Sequence, residues 1–276
     1  MDSHTHSEWS WDTTDGSMER SCARAVEIGL PAIAFTEHLD HTVLTVDREE
    51  LDAGHPMVLL SDPDGRLSPP AFDVAGYLSS IERCREQFPG LQILSGLEVG
   101  EPHWHPDAVR RVLAAGQFDR VLGSLHCLPE GERFHEPPGM YGRVEQHEVM
   151  RRYLEEIAVL VRQSDAFSVL AHIDYPVRAW PGTDGPFDPL AFEEEFRHAL
   201  RATADSGKAL EINTMVPLHD TILRWWREEG GVTVTFGSDA HNPSRVARNL
   251  REAAAMAEAH GFRPGRDPLD FWARPR

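Results

Sequence analysis

Cysteine is scarce: Cys22, Cys84 and Cys127 are the three in 276 residues. They show neither a paired spacing nor a CxxC pattern, which excludes a disulfide framework and points to a reducing compartment. No apolar run approaches the roughly 18 residues that a membrane-spanning helix needs. The opening stretch MDSHTHSEW lacks the basic-then-apolar order of a secretion signal, so the expectation is a cytoplasmic protein with no membrane partner. Positive charge is short as well. With 27 basic against 45 acidic residues the net charge is −18, a field that repels a polyanionic backbone, and long nucleic acids are not expected partners. The same field draws divalent cations. The glycines form neither a Walker A loop nor a dinucleotide fingerprint. Ser238 lies in GSDAH, not in a GxSxG elbow. There is no internal repeat, and nothing in the sequence specifies an oligomeric state.

What remains is ordinary globular material, 41% hydrophobic and 26% charged, in a length that suits one α/β domain spanning residues 1–276. Short apolar, β-branched runs at 32–35, 92–97, 120–125, 168–171, 209–212 and 232–236 predict strands. Helical patterns follow at 17–28, 74–88, 106–115, 145–163, 189–206, 221–229 and 244–260. Asp107 and Ser244 mark helix starts, and Gly29, Gly207 and Gly261 mark ends. With a further strand at 2–6 this makes seven β/α units, the alternation of a parallel sheet with helices outside it. Residues 41–72, rich in Pro, Asp and Gly, break the rhythm and predict a rim or lid insertion. Residues 129–142 predict a second irregular rim segment.

The polar residues are placed systematically. The strands run directly into Thr36-Glu37-His38, Glu98, His126, His172-Ile173-Asp174 and Gly237-Ser238-Asp239-Ala240-His241. In parallel α/β folds the ligand site lies beyond the carboxyl ends of the strands, so these groups should converge. In His4-Thr5-His6 the i, i+2 spacing on a strand points both imidazoles to one face. Imidazole with carboxylate, without cysteine, suits zinc, manganese or iron. A lone histidine at a strand end is usually a hydrogen-bonded packing residue, but so many ionisable groups buried together need metal charge to offset them. Trp9, Trp11, Trp104 and Trp180 flank these motifs as wall candidates.

In order, DSHTH, FTEH, GLE, GSLH, AHID and GSDAH resemble the polymerase-and-histidinol-phosphatase (PHP) family, and more narrowly its free-standing histidinol-phosphate phosphatases. The motifs run from Asp2 to His241, nearly the whole chain. The resemblance implies a distorted (β/α)7 barrel holding two or three divalent transition-metal ions. By motif position His4, His6, Glu98 and Asp239 would hold one ion, and Glu98 would bridge to a second on His126 and His172. His38, His241 and Asp12 would hold a third, with Asp15 a rival for Asp12. Asp2 and Asp174 would orient ligand imidazoles from behind.

The implied activity is hydrolysis of a small phosphorylated substrate, histidinol phosphate first among them. The ions would activate water and clamp the phosphoryl oxygens. Asp239 or His241 would move a proton to the leaving oxygen, and Arg178 or Arg245 would grip the phosphate. One departure bears on substrate: after Glu211–Thr214, where such phosphatases tend to carry an arginine, Met215-Val216-Pro217-Leu218 follows. The alternatives are a PHP phosphodiesterase or nucleotidase acting on small nucleotides, and a non-catalytic PHP scaffold.

Overall fold

Seven parallel strands form the centre of the computed structural model, which describes residues 1–49, 51–183 and 185–274. They are β1 Asp2–Thr5, β2 Ala32–Leu39, β3 Gln92–Gly100, β4 Arg120–Ser124, β5 Val169–Leu170, β6 Ala209–Asn213 and β7 Thr233–Gly237, adjacent in that order. A helix follows each one: α1 Met18–Glu27, α2 Val74–Gln87, α3 Pro106–Ala114, α4 Gln146–Gln163, α5 Glu193–Asp205, α6 Asp220–Glu228 and α7 Leu250–Ala259. The sheet curls until β7 meets β1. There the His6 N–H donates to the Ala240 carbonyl at 2.9 Å, and the Asp239 N–H donates to the His4 carbonyl at 2.8 Å. At its other end β7 pairs antiparallel with β8, Trp272–Ala273, so the ring closes only at its carboxyl rim. This is the distorted seven-unit barrel that the motif order implies.

Alternation along the strands sorts the side chains. On β2, Ile33 and Phe35 pack outward against Met18, Tyr77 and Ile81 of the helices. Ala32 and Ala34 face the interior with Leu94 and Met1. Thr36 and His38 continue that inner row toward the rim, because successive Cβ atoms alternate across a strand. The largest core lies outside β4–β7, where Tyr153, Phe196, Trp225 and Trp226 are fully buried between the helices and the sheet. Capping supports the helix starts: Ser17 accepts from the Arg20 N–H, and Asp73 from the Gly76 N–H.

Two departures from the sequence reading have local causes. The helix expected at 244–260 is broken: a 3-10 turn at Pro243–Arg245 precedes α7, and Ala247 and Asn249 take φ of 60° and 55°. The Ala247 N–H is bound to the Asp2 carboxylate at 2.8 Å instead of a helical carbonyl, so Ser244 starts only the short turn. Asp107 lies in the first turn of α3, near its start as expected, after a cap position held by His105 with no side-chain bond. Residues 41–72 are more ordered than a bare loop: Leu44–Thr45 pairs with Arg66–Leu67, and Pro56–Leu60 is helical. Leu44, Val46, Met57, Val58 and Leu67 bury a small apolar cluster there together with Cys127. A second hairpin joins Leu128–Glu130 to Arg133–His135.

Asp2 holds the seam. Its carboxylate accepts from the Ser238 N–H at 2.9 Å, the Ser238 hydroxyl at 2.6 Å and the Ala247 N–H. It therefore fixes backbone on the β7 side and touches no ligand imidazole, which corrects the orienting role expected of it. Removing it strands buried donors, each costing about 1–3 kcal/mol. Asp2→Ala should lower stability by about 2–4 kcal/mol in urea unfolding; an unchanged midpoint would mean that strand pairing alone closes the barrel.

Candidate metal centre at the carboxyl rim

Glu98, at the inner face of β3, is the hub. Its Oε2 lies 3.2 Å from His4 Nε2, 3.4 Å from His6 Nε2 and 3.2 Å from His38 Nδ1. Its Oε1 lies 3.1 Å from His126 Nε2 and 2.6 Å from His172 Nε2. Asp239 Oδ1 adds a second carboxylate 3.2 Å from His6 and 3.6 Å from His4. On the outer side Asp12 Oδ2 stands 2.9 Å from His241 Nε2 and 3.4 Å from His38 Nε2. All nine residues expected as ligands are thus brought together. Asp15 is exposed and outside the cluster, which leaves Asp12 as the carboxylate there.

The hydrogen bonds behind these rings decide what the ring nitrogens offer. His4 Nδ1 lies 2.7 Å from Glu211, an acceptor only, so it donates there and Nε2 is the nitrogen left facing the hub. His6 Nδ1 lies 2.8 Å from the Ser10 hydroxyl, which itself donates to Glu37 at 2.6 Å and must accept from the ring. His6 Nε2 therefore presents a lone pair, 3.0 Å from His4 Nε2. His126 Nδ1 donates to Asp40 at 3.0 Å, turning its Nε2 to the hub. Glu98 Oε2 is buried with no hydrogen-bond donor despite three imidazoles around it. Against burial, Glu211, Glu98 and Asp239 raise His4, and Glu98 and Asp40 raise His126, well above the ordinary imidazole value, so protons hold these contacts where a metal ion would displace them. The donor set is nitrogen and oxygen, as zinc, manganese or iron prefer. Four overlapping groups reach ion-holding geometry: His4, His6, Glu98; Glu98, His126, His172; His6, His38, His241; and, unanticipated, His38, Asp40, His126.

Close approach at two positions demands glycine. A Cβ on Gly237 would meet Glu211 Oε1 at 2.1 Å and His4 Cβ at 2.5 Å; one on Gly100 would meet Asp40 Oδ1 at 2.1 Å. Asp239 itself takes φ of 53°, a left-handed conformation that turns its carboxylate back to the cluster.

Electrostatics follow the same map. Burial works against ionisation of Glu98, but His4, His126 and His38 hold it well below the usual carboxylate range. For Asp239 burial is likewise outweighed, by Arg178 and then His4, and it too is held well below. Burial lowers His6, with His241 and His38 adding to the effect. Burial would lower His38 as well, yet Asp12 and Glu98 lift it to about 10.

Arg178 lines the cavity, stacks on Tyr175 and donates to Asp239. Arg245 does not: it is exposed on its 3-10 turn while the adjacent Val246 fills the core. Asp174 is buried but has no imidazole partner; burial raises it to about 6, Arg178 opposing. The orienting groups are instead Glu211, Asp40 and Ser10. Two carried a readable signal, since Asp40 stands two residues after His38 and Glu211 is a carboxylate within the apolar run at 209–212. Glu101 also escaped the sequence reading. It takes φ of 42° and accepts from the His126 and Cys127 N–H groups at 2.6 and 2.8 Å, and from Thr42. Of the flanking tryptophans only Trp11 lines the cavity, donating to Asp40. Trp9 packs on Tyr77, Trp104 on Phe134 and Trp180 on Phe187.

The cluster floors a cavity of about 300 Å³. Six carboxylates line it (Asp12, Asp40, Glu98, Glu101, Glu136 and Asp239) against the single guanidinium of Arg178. Leu44, His55 and Met57 from the 41–72 segment form part of its wall. No helix among the described residues is long and apolar enough to cross a membrane.

Without an ion His38 is protonated at neutral pH, so an arriving cation displaces a proton, and its affinity rises with pH until His38 has titrated near 10. Zinc titrations by calorimetry in buffers of different ionisation enthalpy should show proton release at pH 7 and tighter binding at pH 8 than at pH 6. Affinity flat across that range would contradict the assignment.

Comparison with known proteins gives a consistent picture. The PHP domain model matches residues 2–215. A histidinol-phosphatase of Lactococcus lactis subsp. lactis is 25% identical over 270 residues, covering 95% of this chain and 91% of that one. A probable histidinol-phosphatase of Clostridium acetobutylicum is 26% identical over 257 residues, covering 84% and 96%. The crystal structure of a Lactococcus lactis histidinol phosphate phosphatase, complexed with zinc, L-histidinol and phosphate, superposes with a TM-score of 0.79 at 23% identity. It covers 98% of this chain and 97% of that one, a likeness of fold.

Proposed function

The chain belongs to the PHP domain family, and from that premise we propose that it is a metal-dependent phosphomonoesterase hydrolysing histidinol phosphate to histidinol and phosphate. The observation that carries the reading is the convergence of imidazole nitrogens and carboxylates on the floor of a small cavity that also holds one arginine. Relatives named histidinol-phosphatase match it over nearly their full lengths. The reading assigns one ion to His4, His6, Glu98 and Asp239, a second to Glu98, His126 and His172, and a third to Asp12, His38 and His241, with zinc, manganese or iron as the occupants.

Such ions supply an acidic water and offset the phosphoryl charge. Arg178 binds a non-bridging phosphoryl oxygen through its forked donors. When it does so it withdraws from Asp239, whose carboxyl is held well below the usual range and stays ionised, so that Oδ2 accepts a hydrogen bond from the attacking water and aligns it. His241 is about a quarter exposed on the cavity side. Burial lowers its proton affinity, but Asp12 and Asp239 raise it above the ordinary value. Where it is not engaged in holding an ion, it would be the donor to the leaving oxygen. Glu211 and Asp40 keep His4 and His126 in the required tautomers. Residues 41–72 serve as a fixed rim that excludes water from one side.

Purified, metal-loaded protein assayed on histidinol phosphate and a panel of small nucleotides tests the reading. Histidinol phosphate should give the highest kcat/KM; faster turnover of nucleotides would put the diesterase or nucleotidase alternative in its place. The intact ligand set speaks against a non-catalytic scaffold, and His126→Ala should abolish turnover. Glu211→Gln, which leaves every ligand in place, should lower activity or metal affinity about 10- to 100-fold. Unaltered kinetics and metal content in that variant would remove Glu211 from the site.

A further inference from the structure

One carboxylate in the cavity has no employment in the metal centre. Asp12, Glu98 and Asp239 face ligand imidazoles, Asp40 is bound by His126 and Trp11, and Glu101 by backbone N–H groups and Thr42. Glu136 lies on the second rim segment, just after the Leu128–Glu130/Arg133–His135 hairpin, and lines the same cavity. Among the described residues it forms no ion pair; its one side-chain partner is the Tyr175 hydroxyl. Burial raises its carboxyl to about 7 against the pull of His126, with Asp12 and Asp40 adding to the rise, and no side-chain ion pair among the described residues fixes its charge as it faces the cavity. An isolated buried charge of this kind is costly unless a ligand of opposite sign completes it.

Tyr175 relates that group to the phosphate end of the cavity. Its ring centroid lies 5.1 Å from that of His172 and 5.7 Å from that of His126, and the Arg178 guanidinium sits 4.8 Å from its centroid. The ring therefore borders the metal ligands and the arginine, while its hydroxyl reaches Glu136. A small molecule with its phosphate on the metal and arginine side would extend along this wall and bring its other end to Glu136. Leu44 and Met57 add apolar surface to the lining of the same cavity.

We propose that Glu136 is a specificity-determining residue that receives a substrate ammonium group, so that the cavity selects a phosphorylated amino alcohol over a neutral phosphomonoester. The proposal rests on the phosphomonoesterase reading and adds to it the charge of the substrate's far end. Glu136 touches neither the phosphorus nor the leaving oxygen, so its loss acts on binding.

The test compares L-histidinol phosphate with 4-nitrophenyl phosphate, which has no cation, on metal-loaded wild type and Glu136→Gln. Losing a charge-assisted hydrogen bond of about 1.5–3 kcal/mol corresponds to a roughly 10- to 100-fold change. The ratio of the two kcat/KM values should fall by that factor, through KM for L-histidinol phosphate, with partial recovery in Glu136→Asp. A ratio that stays constant overturns the proposal. Should the variants fail to fold, wild-type enzyme decides: it should prefer L-histidinol phosphate at least tenfold over the deaminated analogue 3-(imidazol-4-yl)propyl phosphate, and equal turnover of the two sinks the role of Glu136. Wild type that hydrolyses none of these esters would instead overturn the phosphomonoesterase reading.

Discussion

Five imidazoles within 3.4 Å of one carboxylate, Glu98, set the terms for the rest of the molecule. In water such groups would take up protons and separate. Here they are held with ring nitrogens facing inward, and the cost must be met by surrounding structure. Glu211, Asp40 and Ser10 meet it by claiming the outward nitrogens of His4, His126 and His6. Each tautomer is thereby chosen by an acceptor behind the ring. The result is a site prepared for cations before any arrives, which is the condition for tight binding without rearrangement.

That preparation needs a backbone that does not give. The ligands come from strands far apart in sequence, and the ring they stand on closes only at the rim that carries them. The β1–β7 junction is where His4, His6 and Asp239 meet, and the buried Asp2 carboxylate fastens it from the outer side. Glycine at 237 and 100 lets the acceptors stand directly behind the imidazoles. The seam and the tautomers are two parts of one device: loosening the first moves His4 and His6 away from Asp239, and losing the second turns a ligand into a donor.

Much of this was legible because the chemistry is written in strand ends. An apolar run followed at once by His or Glu marks a residue at the carboxyl rim, and alternation tells which side chains point inward. Hence the strands at 32–35 and 92–97, Glu98, His126 and the pair at His4 and His6 could be read one by one. What escaped had a different physical origin. Asp40 and Glu211 also sit at strand ends, but their partners come from other strands, and only the closed ring shows which carboxylate stands behind which imidazole. Asp2 looked like a ligand-orienting carboxylate by position, yet its oxygens face the β7 backbone. Ser244 looked like a helix start, but the tie between Asp2 and Ala247 breaks that helix. Arg245 is close to His241 in sequence and faces solvent because Val246 takes the buried place.

The charge of the cavity implies an order of events. Six carboxylates and one guanidinium cannot attract a phosphate, and the guanidinium is already engaged with Asp239. Only after cations occupy the floor does the local field change sign, and only then does a phosphoryl group compete with Asp239 for Arg178. The strongly acidic chain, with its net charge of −18, therefore disfavours phosphorylated molecules generally while the metal-loaded cavity accepts them locally. Glu136 extends the same logic to the far end of the cavity. A negative wall that the ions do not neutralise admits a phosphate ester best when the ester carries a positive charge of its own, so the site is arranged to read both ends of a zwitterion.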